Sequence, residues 1–418
     1  MNIRWQKHKR KLGAALTLSV CLLILLWIMR LNQNQPLQYA LQTDVSLTAW
    51  IYSKPVSELL TDFQNEHPGI HIQIRTFRSE EQLHEELMAA ISAHAPPHFA
   101  EIGSAYGIAE LADTGALLPM DERMLQDIGE LIDPRYASAF QYNNQMWAMP
   151  YGTAVPVIYY NENLLGYSGL SFNTEAISWD QLVSIGMKLT QDHDGDEKTD
   201  IWGLVMDPET PWYLRSSIFL QDPASETRVE RIFKLWHEMI YRYQITPPLK
   251  HHLAVSDFIN GNAGLLLSSS EKELMLEQYI GGTFKFGVLP FPAFSEEEAL
   301  EARVSGFVML KSDAGMESAV RQIMAFLLSP AIQQRLLPEA SKLSILKGSE
   351  PNHDEKPFLS ARESTIQRLA ARKLYVPATE KKSKKHWDQM LKTQEQLEAS
   401  ENVCISCLSE ATVNTNKP

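Results

Sequence analysis

The chain has 418 residues, of which 44% are hydrophobic and 21% charged, a globular balance with room for two domains and two cores. Its formal net charge of −13 argues against a nucleic-acid partner, because phosphate binding needs a basic face. The one basic run, Glu380 to His386, reads as a solvated surface.

Residues 1–11 form a basic segment (Arg4, Lys7, Lys9, Arg10, Lys11) ahead of an uncharged apolar run over 12–29. That run matches a membrane span, about 17–25 residues, rather than the core of a cleaved signal, about 7–15. No small-x-small cleavage site follows it, and Cys21 reads as one more apolar residue inside it. The expectation is a transmembrane signal anchor with the rest of the chain on the outer side of the membrane, followed by a polar linker over 30–43. Ser46 to Tyr52 then reads as a strand, and Leu59, Leu60 and Phe63 mark one helical face. Ile70 to Ile74 alternates as a half-buried strand, and Leu83, Leu87 and Ile91 mark a second helix. This alternation predicts an α/β layer with a mainly parallel sheet. Met146 to Asn161 is a near-continuous β run containing Pro150 and Pro156, which suits a strand that changes partners or crosses between domains.

The stretch Gln191 to Gly203 places Asp192, Asp194, Asp196 and Asp200 in one short loop. It opens like an EF-hand, but Gly195 comes one position early and the closing Glu is missing. Two readings stand: an Asx-rich turn between a helix and a strand, and a weak structural calcium site. Further on, Val320, Ile323, Met324, Leu327 and Leu328 give an amphipathic helix, and the segment beginning at His386 is also helical. In the polar tail over 401–418, Cys404 and Cys407 read equally as a local disulfide or as two inert thiols. Two cysteines with no nearby His do not make a zinc site.

Catalytic motifs are missing. His84–Glu85 and His237–Glu238 are followed by Met88 and Tyr241 where a zincin needs its second His, and no nucleophile elbow, Walker loop or dinucleotide fingerprint occurs. Carboxylates are plentiful enough for a glycosidase pair, but nothing singles out two of them, and the expectation is that the chain is not an enzyme. Aromatic residues recur beside turns and small residues: Trp50 with Tyr52, Tyr106, Tyr151, Trp212 with Tyr213, Phe307 and Trp387. Flat rings edged by polar groups suit a sugar, whereas core packing is the alternative for each of them. Tyr106, Tyr151 and Trp212 are the better-placed candidates, being flanked by loops.

Five segments in order carry a resemblance to a known family: Leu111–Asp121, Asn143–Leu165, Ser178–Thr190, Phe258–Ser268 and Phe286–Pro292. Over about Val45 to Glu398 the chain resembles the family 1 extracellular solute-binding proteins of ABC importers, which include sugar-binding members. The resemblance implies the class II form of the two-lobe α/β periplasmic-binding-protein-like fold, with a hinge of several crossings. It implies an N-lobe over 44–150 with 265–304 returning to it, and a C-lobe over 151–264 with 305–400. It places Tyr52, Ser53, Tyr106, Tyr151, Trp212, Tyr213, Phe307 and Trp387 in the ligand cleft. It also implies that Asp192, Asp194, Asp196 and Asp200, with the carbonyl of Lys198, are the ligands of any structural calcium, remote from the cleft. No cofactor is required. The implied function is carbohydrate capture by a monomer that closes its lobes and serves the membrane subunits of an ABC permease. The same fold also serves as a ligand-sensing partner of membrane histidine kinases, and a glycan-cleaving enzyme is the remaining alternative.

Overall fold

Val45, Leu47, Ala49 and Ile51 turn inward at alternate positions, so the first strand, β1 (Val45–Ile51), lays one face on a core. In the computed structural model, which describes residues 44–169, 177–207, 226–248, 253–292, 300–347, 374–375 and 383–415, β1 pairs in parallel with β2 (Ile70–Thr76) and with β3 (Phe99–Gly103). Parallel strands need crossover connections, and two helices supply them. Lys54–Glu66 buries Val56, Leu59, Leu60 and Phe63. Glu80–Ser92 starts at Ser79, whose side chain accepts from the Gln82 amide, and buries Leu83, Leu87 and Ile91. A two-residue strand, β4 (Leu117–Leu118), follows. A hairpin of β5 (Gln141–Tyr142) and β6 (Gln145–Met146) then turns on Asn143 and Asn144, both at positive φ as a tight hairpin turn demands. It leads into β7 (Ala148–Ala154), every residue of which is buried.

The second sheet is built from β8 (Pro156–Asn161), β9 (Trp202–Met206), β10 (Ala263–Ser269) and β11 (Phe286–Pro290), in the order β11-β8-β10-β9. Its central strand β10 reads Ala-Gly-Leu-Leu-Leu-Ser-Ser and is buried throughout, as expected of a strand covered on both faces. Helix Trp179–Leu189, held by a capping box between Ser178 and Gln181, packs on it. Gly186 and Gly203 let this helix and β9 meet backbone to backbone, since a Cβ on Gly203 would collide with the Gly186 carbonyl. A short parallel pair, β12 (Leu300–Glu301) with β14 (Leu374–Tyr375), is separate from both sheets.

The lobe boundaries differ from expectation. Strands β10 and β11, expected to return to the N-lobe within 265–304, belong to the second sheet. Strand β13 (Arg303–Leu310), expected in the C-lobe from Ser305 onward, enters the first sheet between β3 and β4 and also pairs with β7, giving Ser305 opposite Gly103 and Phe307 opposite Glu101. Helix Ala314–Leu328 follows it there, packing the Phe326 ring at a tilt against Phe63, with 5.2 Å between centroids. The first crossing falls at Val155, past the expected boundary at Pro150, because β7 stays paired with β13 as far as Ala154. The chain comes back to the second lobe with helices Ser383–Glu398 and Ile405–Thr415, which pack on helix Glu226–Tyr241. There the Trp236 indole and the Tyr241 hydroxyl donate to the Glu398 carboxylate and carbonyl. The segment expected to be a polar tail is thus largely helical, and Cys404 and Cys407 form a disulfide at its start. Among the described residues no helix is long and apolar enough to cross a membrane. The expected anchor and linker, 12–29 and 30–43, lie outside the described residues.

Candidate functional site

The carboxyl ends of the parallel strands of both sheets point to one region. From the first sheet come the turns Tyr52–Ser53, after β1, and Ser104–Tyr106, after β3. From the second come Asp207, after β9, and Ser270–Lys272, after β10. Contacts join the two sides. The Ser270 amide donates to the Val155 carbonyl at the crossing, and the Ser270 hydroxyl accepts from the Val155 amide at 3.1 Å. Lys342 pairs with Glu271, and the Tyr106 ring stands edge-on to Trp387, with 6.1 Å between centroids. The outer ends of parallel strands are where open α/β sheets bind ligands.

Glu101 lies at the centre of the first-lobe side. Its side chain is fully buried, Oε2 accepts from the amides of Tyr52 (3.0 Å) and Ser53 (2.9 Å), and Oε1 accepts from the Tyr151 hydroxyl (2.6 Å). Burial pushes its carboxyl up to about 7, against the opposing pull of the Tyr151 hydroxyl, the two amides and the Lys342 charge. Tyr52 and Tyr151 are in turn pushed well up by burial and by the nearby Glu101 charge. The Tyr52 hydroxyl meets Ser305 Oγ at 3.2 Å. Beside this group Arg303 donates to Glu80 Oε2 at 2.8 Å, while Glu80 Oε1 is buried with no partner among the described residues. Gly103 makes room for that carboxylate, since a Cβ there would collide with it. On the second-lobe side Ser268 donates to Asp207 at 2.8 Å, and Lys272 stands 3.8 Å from the same carboxylate.

The sequence-predicted cleft residues divide. Tyr52 and Ser53 sit half-buried at the strand end. Tyr106 and Trp387 are brought together but are 5% and 6% exposed, within the same apolar cluster as the second-lobe core. Tyr151 and Phe307 are fully buried and stack on each other at 4.7 Å, with Phe99 next in the stack at 5.1 Å. These two were expected to line the cleft; they are core beneath it. Trp212 and Tyr213 lie outside the described residues. Glu101, Glu80, Arg303, Ser305 and Lys342 were not foreseen. The one available signal was a carboxylate inside the apolar strand Phe-Ala-Glu-Ile-Gly.

The acidic loop is elsewhere. Gln191 and Ile201 bridge just before β9 begins, so the loop lies at the opposite end of the second sheet from Asp207. Its carboxylates fold back on its own backbone. Asp192 accepts from the Gly195 and Glu197 amides, Asp200 from His193, and Asp196 from Lys198. Gly195 and Glu197 both take positive φ. Asp192, Asp194 and Asp200 keep carboxylate oxygens within 4.8 Å of one another, a donor set that suits a hard cation although such an ion takes about six to eight oxygens. Asp196 turns instead to the Lys198 ammonium at 2.6 Å, which lowers its pKa.

Two α/β lobes whose strand ends face each other across crossing segments define a binding protein of the two-lobe periplasmic class. The sequence profile of the bacterial extracellular solute-binding proteins matches residues 58–356, and the chain belongs to that family. No curated protein sequence matches it. Among solved structures it is similar to an ABC substrate-binding protein of Listeria monocytogenes in complex with cycloalternan, with a TM-score of 0.74 and 17% identity over 89% of this chain and 98% of that one. It is also similar to the maltose/maltodextrin-binding domain of Bdellovibrio bacteriovorus bound to maltotriose, at 0.73 and 18% over 89% and 99%. A third is the GacH receptor of Streptomyces glaucescens, known unliganded and with acarbose, at 0.74 and 15% over 90% and 98%. At these identities the likeness is one of fold.

Proposed function

We propose that this extracellular solute-binding protein captures a carbohydrate and hands it to the membrane subunits of an ABC importer by closing its two lobes. The observation that carries this reading is the convergence of strand ends from both sheets at a polar rim, with Tyr52, Ser53, Glu80 and Arg303 on one side and Asp207, Glu271 and Lys272 on the other. Hydroxyl and carboxylate groups beside aromatic rings match the alternating polar edge and apolar face of a sugar. The sugars carried by the structural relatives named above support the same class of ligand. In this reading Trp212 and Tyr213 add the stacking surface of the second lobe, and the apolar run over 12–29 tethers the monomer to the membrane. No step of capture calls for a cofactor or for catalysis.

The test is a thermal-shift screen of the full-length chain in detergent micelles against mono-, malto- and cyclic oligosaccharides. At ligand concentrations of about 100 Kd, linkage adds about 2.7 kcal/mol, so at least one sugar is expected to raise the melting temperature by several degrees. A screen in which no carbohydrate shifts the transition, while another class of solute does, would overturn the reading.

A further inference from the structure

We propose that Glu101 is a positioning residue for solute capture: its buried carboxylate ties the backbone of the Tyr52–Ser53 turn to the Tyr151 hydroxyl on the crossing strand, so that the ligand-facing turn and the hinge form one unit. The inference deepens the proposed function and rests on it for the word capture, but the tie itself is a statement about this chain alone.

A carboxylate in the middle of β3 contributes nothing to solubility, because it is fully buried. Phe99, Ala100 and Ile102 around it are apolar, so removing an acid from water here carries a cost that only good partners offset. The partners come from two separate parts of the chain. Two are the amides of the turn between β1 and helix Lys54–Glu66, and the third is a hydroxyl on β7, the strand that leaves the first lobe at Val155. Ser53 is the N-cap of that helix, yet its own side chain makes no capping bond. The buried carboxylate instead holds the amides of Ser53 itself and of Tyr52 just ahead of it, at the positive end of the helix. A second tie backs the first, for the Tyr52 hydroxyl reaches Ser305 on β13. The turn is thus fixed through its backbone by one strand and through its side chain by another.

Among the described residues, the charged and titratable groups around Glu101 come from several separate elements. Lys342 acts on it from the segment after helix Pro330–Glu339 and itself pairs with Glu271 of the second lobe. The paired Glu80 and Arg303 act on Tyr52 from the start of helix Glu80–Ser92 and from β13, and the hydroxyls of Tyr52 and Tyr151 complete the set. Hydrogen bonds to an ionised acceptor are about twice as strong as neutral ones, so the grip on the two amides weakens as the carboxyl takes up its proton.

Hydrogen exchange followed by mass spectrometry on the full-length chain in micelles tests this without reference to any ligand. Glu101→Leu is expected to lower the protection of the Tyr52 and Ser53 amides about tenfold or more while leaving β2 and β10 unchanged, as the loss of a buried acceptor predicts. Glu101→Gln, which keeps one carbonyl oxygen, is expected to restore most of that protection. In the unsubstituted chain the protection of these two amides is expected to fall as pH is lowered through about 7, and in Glu101→Gln to stay level. Protection unchanged in Glu101→Leu, or lost evenly across both sheets, would overturn the tie. Should Glu101→Leu not fold, matching pH profiles for the unsubstituted and Glu101→Gln chains would overturn it equally. A chain that binds no sugar but shows the expected exchange pattern refutes the proposed ligand class and leaves the tie standing.

Discussion

Glu101 keeps its proton to about pH 7 in the folded chain, whereas an ordinary glutamate in an unfolded chain releases it near 4.5. Between those values the folded state binds more protons than the unfolded state, so stability falls as pH rises. The contribution is fully present below about 4.5 and is lost as pH passes about 7. A shift of this size corresponds to about 3 kcal/mol. Thermal melts are expected to show the unsubstituted chain losing stability from pH 5 to 8 more steeply than Glu101→Gln, and equal slopes for the two would contradict the burial argument. Two tryptophans separate core from cleft by their behaviour. Trp387 is 6% exposed and packed on Tyr106, so Trp387→Ala is expected to cost about 3–5 kcal/mol of stability. Trp212, proposed as a stacking ring, is expected on alanine substitution to lose about 1–3 kcal/mol of sugar binding, about 5- to 150-fold in Kd, with little change in melting. Paired melts and titrations distinguish the outcomes; a large melting loss in Trp212→Ala with normal binding would move that residue into the core.

At the scale of single elements, the acidic turn is held by bonds from its own backbone to Asp192, Asp196 and Asp200, which also leave three carboxylates close together. A cation that relieves their repulsion would bind the folded turn only. Millimolar calcium is therefore expected to raise the melting temperature by a few degrees relative to chelator, with no change in sugar affinity and no effect in Asp194→Asn. Coincident melts with calcium and with chelator would leave a plain turn. The turn, β1, β2 and the helical faces were legible in the sequence because their signals are local: alternation, period, and carboxylates beside glycine. The lobe membership of β10, β11 and β13 was not, since β3 and β13 pair across a long stretch of chain and nothing near Arg303–Leu310 names its partner. Tyr151 and Phe307 misled for a physical reason. The glycines beside them, which suggested exposed turns, serve close packing: a Cβ on Gly152 would lie 2.9 Å from Lys342 Cβ, and one on Gly306 would lie 2.6 Å from the Phe140 ring. Glu101 escaped notice because its partners lie about fifty positions away on either side.

For the molecule as a whole, the proposed tether predicts that the full-length chain fractionates with bacterial membranes and that protease added from outside cuts the binding lobes. A shortened soluble form beginning after Met29, or acylated Cys21, would refute the tether. The placing of β13 has a consequence for how such a chain comes into being. A protein sent across a membrane amino end first exposes β1, β2 and β3 early, yet β3 lacks its second neighbour until Arg303–Leu310 has followed. Meanwhile its open edge is a template for wrong pairing, and so distant a partner closes slowly. The second lobe waits as well, for β11 and then for the two helices that cover Glu226–Tyr241. Neither lobe can be finished while the chain is half out, so most of its length must be kept from collapse during export, and the two lobes mature nearly together rather than in order of emergence.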